Sequence, residues 1–230
     1  NLQEVQVVST RATSKTPVAF TNVSKEELKK QNFGQDIPYL LSMTPSALTT
    51  SDAGAGIGYT TLRVRGTDGA FGASVNMQTE GISMKPYAEL NASYGTFNAH
   101  KETVKFGTGL LNDHWAFDAR LSNIGTDGYI DRASVDLYSF YAQGGYFADN
   151  TSVKFITFGG KEKTYHAWNY ASKEEMEKYG RRFNSCGMYT DDDGNIRFYK
   201  DQTDNYLQMN YQLLLNHTFS PEWNLNAALH

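Results

Sequence analysis

The sequence predicts a mainly β protein in which a mixed α+β N-terminal region precedes a series of antiparallel strands. From Pro86 onward, apolar and polar residues alternate with the period of two that marks β-strands. The composition agrees, since 15 Tyr, 13 Phe, 3 Trp and 20 Gly against only 5 Pro suit many aromatic strands joined by turns. The connections between the strands also alternate in length, which gives a third and independent indication.

Two short helices are predicted in the N-terminal region. Ser24 and Glu27 have the spacing of a capping box, which predicts a helix over residues 25–30. A second helix is predicted over residues 36–42, where apolar residues recur at helical spacing and Pro38 falls in the first turn. This region therefore contains helices as well as β-prone segments.

The strands are predicted from alternation along the remainder of the chain. Residues 206–219 give the clearest pattern, and residues 115–122 place Trp115, Phe117 and Leu121 on one face of a strand. Further strands are predicted over residues 87–94, 100–110, 134–147 and 151–165, and from residue 223 onward. Each strand has one apolar and one polar face.

The predicted connections alternate along the chain between longer and shorter ones. Those over residues 95–98, 125–133 and 166–205 grow from four to nine to about forty residues, whereas those over 111–114, 148–150 and 220–222 have three or four. Outer-membrane barrels show this asymmetry between external loops and periplasmic turns. Strands need only ~10 alternating residues to cross a bilayer, so a mean hydropathy of -0.54 is compatible with a barrel. Aromatic residues also gather at strand ends, as an interfacial girdle would: Tyr94, Phe97, Trp115, Tyr146, Phe147, Phe219 and Trp223.

Several functional classes are disfavoured. A net charge of -4 does not indicate the concentrated positive surface that nucleic-acid binding requires. The five histidines have no metal-ligand spacing, the single Cys186 cannot form an internal disulfide, and residues 54–58 match neither common phosphate-binding glycine motif. We therefore predict no enzyme, no catalytic residue, no metal site and no cofactor.

The acidic run from Asp191 to Asn195 predicts a hairpin rather than a calcium site. Ile196 stands where a calcium loop needs glycine, and Gln202 where it needs glutamate. The run instead separates two β-prone segments, residues 188–190 and 196–199, and Gly194 can supply a positive φ.

Three segments resemble one family. Residues 2–9 resemble the TonB box region of TonB-dependent outer-membrane receptors, and residues 58–66 are similar to the plug signature Leu-Arg-x-Arg-Gly, here ending in Arg63, Arg65 and Gly66. Residues 69–79 resemble the end of the plug. The likeness is to Bacteroidetes-like receptors of the siderophore and ferric-citrate type.

The resemblance implies a domain layout. Residues 1–16 would hold the TonB box and a linker, residues 17–85 a plug domain, and residues 86–230 the first part of a transmembrane β-barrel. The family barrel has 22 strands, and this sequence supplies about seven, so we expect it to be a portion of a longer chain. In the family a longer segment separates the two plug motifs, so we also expect a segment to be missing between Asp68 and Gly69.

The resemblance also implies a function: active import of a ferric siderophore or another metal chelate across the outer membrane. The energy-transducing protein TonB would pair with the N-terminal box as an added strand, and outer-membrane lipid would surround the barrel. The expected TonB-binding residues are Glu4, Val5, Gln6, Val7, Val8 and Ser9.

Arg63 and Arg65 alternate on one predicted strand, so their side chains would point the same way, either to acidic groups of the barrel lumen or to solvent. Five residues of the long predicted loop are candidates either for ligand contact or for packing within the loop: His166, Trp168, Tyr170, Tyr189 and Tyr199.

Other functions remain open from the sequence. The chain could import cobalamin, haem or a glycan by the same mechanism. From a different class, it could be a non-transporting outer-membrane adhesin or structural β-protein.

Overall fold

The computed structural model describes residues 15, 20–32, 35–64, 66–68 and 81–230. Antiparallel β-structure dominates these residues, and the helices among them are short: α1 (Lys25–Gln31), α2 (Ile37–Leu40) and α3 (Lys173–Tyr179). The predicted mainly β fold class is confirmed at this level. None of the helices in the described residues is long and apolar enough to cross a membrane.

Helix α1 begins where its sequence predicts. The Glu27 amide donates to Ser24 Oγ at 3.2 Å, and the Ser24 amide donates to Glu27 Oε2 at 2.7 Å, which completes the capping box. Helix α2 is shorter than the predicted 36–42, because turns replace the helix after Leu40. Its N-cap residue Asp36 makes no side-chain capping bond.

The N-terminal region contains a small antiparallel sheet of β1 (Ala47–Ser51), β2 (Thr60–Val64) and β3 (Thr67–Asp68), in that order. The main sheet has seven antiparallel strands, and every strand lies beside its predecessor: β4 (Pro86–Tyr94), β5 (His100–Thr108), β6 (Trp115–Thr126), β7 (Val135–Ala148), β8 (Thr151–Thr164), β11 (Asp204–Ser220) and β12 (Trp223–Leu229). All the strands predicted in residues 86–230 are therefore present, with ends shifted by one or a few residues.

Successive connections of this meander lie at opposite ends of the sheet. At one end they cover residues 95–99, 127–134 and 165–203, and at the other end residues 109–114, 149–150 and 221–222. The first of these two sets grows along the chain as predicted, although the first two connections, 95–99 and 109–114, have nearly equal lengths. We call residues 165–203 the long loop.

The long loop carries its own secondary structure. It contains α3 and a hairpin of β9 (Met188–Thr190) and β10 (Ile196–Phe198). The hairpin prediction is confirmed, including a φ of 81° at Gly194. Helix α3 was not predicted.

The two faces of the main sheet differ in polarity, and the apolar face is the uncovered one. On β6, Trp115, Phe117 and Leu121 are between 44% and 57% exposed. The opposite face of the same strand carries Ala116 and Asp118, which are at most 7% exposed. We call these the apolar face and the polar face.

The apolar face is continuous across the strands. The register aligns Leu90, Val104 and Leu121 in one row. A second row runs from Phe117 through Gly144, Phe155 and Leu213 to Leu229. Because Gly144 has no side chain, the rings around it line an open apolar depression of about 750 Å³.

The chain that enters β4 packs on the polar face. Ile82 is buried with Ala116 and Phe147, and the Ser83 amide donates to Asp118 Oδ2 at 2.9 Å. Phe147, predicted as a girdle residue, is therefore buried against this segment instead of lying on the apolar face.

Helix α1 reaches the same face through polar contacts. Lys29 Nζ lies 3.1 Å from Glu89 Oε1, and Lys101 Nζ donates to Asn32 Oδ1 at 2.6 Å. No residue of α1 is buried. The N-terminal region is thus held to the sheet here by exposed polar groups rather than by an apolar core.

Candidate functional site

The candidate site lies where the N-terminal region meets the base of the long loop. Residues 52–59 connect β1 to β2 and form the glycine-rich loop, in which Gly54, Gly56 and Gly58 have φ of 80°, 76° and 80°. Glycine adopts this left-handed region without strain. A Cβ atom on Gly58 would lie 2.9 Å from Glu162 Oε1. Glycine therefore allows the loop to approach the end of β8 closely.

Asp36 fixes the position of the glycine-rich loop. Its Oδ2 accepts a hydrogen bond from the Gly58 amide at 2.8 Å and another from Thr60 Oγ1 at 3.0 Å. These bonds account for the missing side-chain cap on α2, because the carboxylate binds the neighbouring loop instead. Hydrogen bonds to a charged acceptor are stronger than neutral ones, so this contact orders the loop at the site.

The long loop is held in shape by the buried Asn184, which is 1% exposed. Its Nδ2 donates to the carbonyl oxygens of Asp131 and His166 at 3.0 and 3.2 Å, and its Oδ1 accepts from the Cys186 amide at 3.0 Å. One side chain therefore joins three separate backbone segments. The base of the loop is therefore held together by hydrogen bonds of the chain itself.

Five residues gather between the glycine-rich loop and the long loop, and we call them the aromatic–acidic cluster: Tyr59, Glu162, His166, Trp168 and Asp204. The Tyr59 ring lies edge-on to the His166 and Trp168 rings, with centroids 4.8 and 5.1 Å away. The His166 and Trp168 rings are 4.3 Å apart. Tyr59 Oη donates to Asp204 Oδ2 at 3.1 Å, which ties the N-terminal region to the first residue of β11.

Negative charge dominates the electrostatics of this region. The Asp204 carboxylate accepts the phenolic hydrogen bond and thereby raises the pKa of Tyr59, because the bond favours the protonated phenol. Asp52 acts in the same way on Tyr170, whose hydroxyl donates to it, and raises the pKa of that tyrosine. Both phenols therefore stay neutral donors at physiological pH.

The structure brings three of the five predicted ligand-contact residues to this place. Trp168 and Tyr170 are exposed there, whereas His166 is buried behind them at 3% exposure. Tyr189 and Tyr199 stack on each other, with ring centroids 4.4 Å apart, at the β9–β10 hairpin. Trp168 and Tyr170 thus offer surface to a ligand at this place, and His166 lies buried behind them. Tyr189 and Tyr199 are 37% and 56% exposed at the hairpin, apart from the cluster.

Of the plug-signature residues, the structure describes Arg63 and Gly66. Arg63 is an exposed residue of β2, placed opposite Leu48 and Asp68 in the sheet register. Gly66 has a φ of 79° with no neighbouring atom near its missing Cβ, so backbone conformation alone requires glycine there. Arg65 lies outside the described residues, as does the whole predicted TonB-binding segment, residues 4–9.

Sequence reasoning missed several members of the site. Tyr59 lies inside the plug-signature segment, but nothing in that segment points to a partner at Asp204, which is 145 positions away. Asp36 has the residue type of an ordinary N-cap. Glu162 occurs at the end of an alternating strand. Only the arrangement of strands in space brings these carboxylates together.

The cluster has no arrangement typical of metal binding. Among the described residues, no group of three or more His, Cys, Asp and Glu side chains is placed to hold a metal ion. The site offers carboxylates, a phenol and aromatic rings, which suit recognition by charge, hydrogen bonding and ring contact.

Comparison with known proteins adds no relative. The chain matches no protein-family model, no curated protein and no solved structure.

Proposed function

We propose that the chain is part of a TonB-dependent outer-membrane receptor that imports a ferric siderophore or another metal chelate. In this proposal the N-terminal region is the plug, and the main sheet is one part of the wall of a 22-stranded barrel. The polarity of the main sheet is the observation that carries the proposal, since its large apolar residues face outward and its polar residues face the N-terminal region.

That polarity is the reverse of what water favours. A sheet with one face in water normally packs its apolar face on the core and exposes its polar face. Here the covered face carries Thr103, Asp118, Ser122, Gln143 and Lys154, all buried. A wall between lipid and a polar lumen needs this arrangement, because outward positions contact hydrocarbon and inward positions contact water or a plug.

The contacts of the N-terminal region fit a removable plug. Helix α1 buries no residue and reaches the sheet through exposed groups such as Lys29 and Glu89. Exposed ion pairs contribute only about 0–1 kcal/mol each. The contact of α1 with the sheet can therefore be broken at a small cost in free energy.

The placement of the site fits capture from outside. The aromatic–acidic cluster lies at the end of the sheet that carries the long loop, and the two-residue connections 149–150 and 221–222 lie at the other end. In outer-membrane barrels the longer loops are external. A ligand that touches Trp168 and Tyr59 would contact an external loop and the plug at the same time, and TonB would then pull on the N-terminal box.

The test is a pair of single substitutions in the predicted TonB box of the full-length receptor. Val7→Pro removes a backbone N–H and cannot join a strand, whereas Val7→Thr keeps a β-branched side chain. With radioactive iron supplied as a panel of ferric siderophores, Val7→Pro should abolish uptake while cell-surface binding persists, and Val7→Thr should retain both.

Unchanged uptake by the Val7→Pro variant would contradict import driven by TonB. Surface binding without energy-dependent uptake in the unaltered receptor would instead favour the alternative function, a non-transporting outer-membrane adhesin.

A further inference from the structure

We propose that the aromatic–acidic cluster recognises an organic cation, such as an ammonium group, on the ligand. Import of that ligand rests on the proposed function, whereas its binding rests on the cluster alone. A receptor of this kind would prefer chelates that carry a free amine to polyanionic chelates.

The first observation is a concentration of negative charge that has no lysine or arginine partner. Asp36 and Glu162 lie on either side of Gly58, and Asp204 lies beside Tyr59. Within the described part of the chain, none of these three carboxylates forms an ion pair with a lysine or arginine. Carboxylates that share a site repel one another, and a bound cation relieves that repulsion.

The second observation is the aromatic surface beside these carboxylates. Tyr59 is 53% exposed, Trp168 is 46% exposed, and the side chain of Asp204, which is bonded to Tyr59, is 41% exposed. Cations bind to the faces of tryptophan and tyrosine rings, and aromatic cages with nearby carboxylates recognise ammonium groups.

The third observation is the buried His166. Its Nε2 points into the cluster, 3.6 Å from Asp204 Oδ2 and 2.9 Å from Thr164 Oγ1. The buried ring therefore holds one nitrogen beside the Asp204 carboxylate, the group that would accept a hydrogen bond from a bound ammonium group.

The kind of cation follows from the geometry. The described carboxylates and His166 do not converge as the ligands of a metal ion would, so their arrangement does not fit a small ion held by direct coordination. An ammonium group on a ligand is larger and can donate to Asp204 while its methylene groups lie against a ring.

Three ferric trihydroxamates with the same iron-binding backbone test this proposal. One ends in a free amine, one is N-acetylated and neutral, and one is N-succinylated and anionic. Binding to the full-length receptor in detergent is followed by quenching of tryptophan fluorescence. We expect the amine to bind at least about tenfold more tightly than the succinylated chelate, with the neutral one between them, and the difference to shrink as salt rises.

Asp204→Asn keeps an acceptor for Tyr59 and removes the charge. It should weaken binding of the amine about five- to tenfold and change binding of the neutral chelate much less. Asp201→Asn makes the same chemical change at an exposed position nearby and should alter neither.

Equal affinity for the three chelates, tighter binding of the succinylated one, no binding of any, or equal effects of the two Asn variants would overturn the proposal. These results are separable from the Val7 experiment. If Val7→Pro leaves uptake unchanged while the receptor still binds the amine selectively, the proposal of import driven by TonB is wrong and the proposed cation site is retained.

Discussion

Replacing Leu213 by arginine should destabilise the membrane-inserted protein, whereas the same change at the adjacent Gln212 should cost little. Leu213 is 43% exposed on the apolar face, and Gln212 lies on the opposite face of the same strand, β11. The two variants add the same side chain at neighbouring positions. Only the environment of the two faces differs between them.

The expected magnitude follows from the depth of Leu213. It lies about 30 Å along the strand from Asp204 and about 23 Å from Ser220 at ~3.3 Å per residue. With a tilt of about 45°, these distances become heights of roughly 21 and 16 Å, which place Leu213 near the middle of the hydrocarbon layer. Arginine at the midplane of a barrel costs about 2–4 kcal/mol. This lowers the folding equilibrium constant roughly 30- to 700-fold.

The assay is urea titration of the full-length protein folded into lipid vesicles, with the folded fraction read from heat-dependent gel mobility. Leu213→Arg should lower the unfolding midpoint, and Gln212→Arg should stay close to the parent. In a water-soluble sheet an exposed Leu213 would face solvent, and arginine at this position would leave the free energy of unfolding unchanged. An unchanged Leu213→Arg variant, or an equal loss in both, would therefore refute the lipid-facing assignment.

Three further predictions concern the site and the long loop. Asp36→Ala should lower the free energy of opening the glycine-rich loop by about 1–3 kcal/mol, because the Gly58 amide loses its charged acceptor. The backbone amides of that loop should then exchange hydrogen faster, and an unchanged exchange rate would contradict the anchoring role of Asp36. Asn184→Ala should lower the free energy of opening the long loop by about 2–4 kcal/mol, because it leaves buried backbone groups unpaired. A protease should then cut the loop while the sheet stays intact, and a loop that resists the protease would contradict this prediction. The hydrogen bond from Arg197 of β10 lowers the pKa of Asp191. The ionised Asp191 therefore stabilises the β9–β10 hairpin fully above about pH 4, and this stabilisation is lost as the pH falls through the lowered pKa. The hydrogen-exchange rates of the hairpin in the parent and in Asp191→Asn should become equal in acid, and a difference that stays constant with pH would contradict the assignment.

Local features were predictable from the sequence. The capping box of α1 and the positive φ of Gly194 depend on residues within a few positions of one another. Alternation likewise assigned the residues of each strand to two faces. Helix α3 could also have been found, because Ser172 and Glu175 repeat the capping-box spacing of α1. Only the hairpin was assigned from the sequence within residues 166–205, and the capping-box pattern was not applied there.

The site was not predictable, because it depends on distant contacts. The bond between Tyr59 and Asp204 joins the glycine-rich loop to the main sheet, and no periodicity of the sequence indicates it. Alternation also could not say which face would be covered, since burial of Ala116 and exposure of Phe117 depend on what packs against the sheet. The sequence singled out the aromatic residues of the long loop as a group, but their division between exposed Trp168 and buried His166 follows from the loop fold.

The most direct test of the central claim is a scan of β11 with spin labels. Single labels at positions 207 to 216 of the full-length protein in lipid vesicles would be probed with oxygen, which concentrates in lipid, and with a water-soluble nickel complex. We predict higher oxygen access at the odd positions, those of Leu207, Met209, Tyr211, Leu213 and Leu215, and lower oxygen access at the even ones. Equal oxygen and nickel access at neighbouring positions, or the reverse alternation, would contradict a sheet whose apolar face contacts lipid.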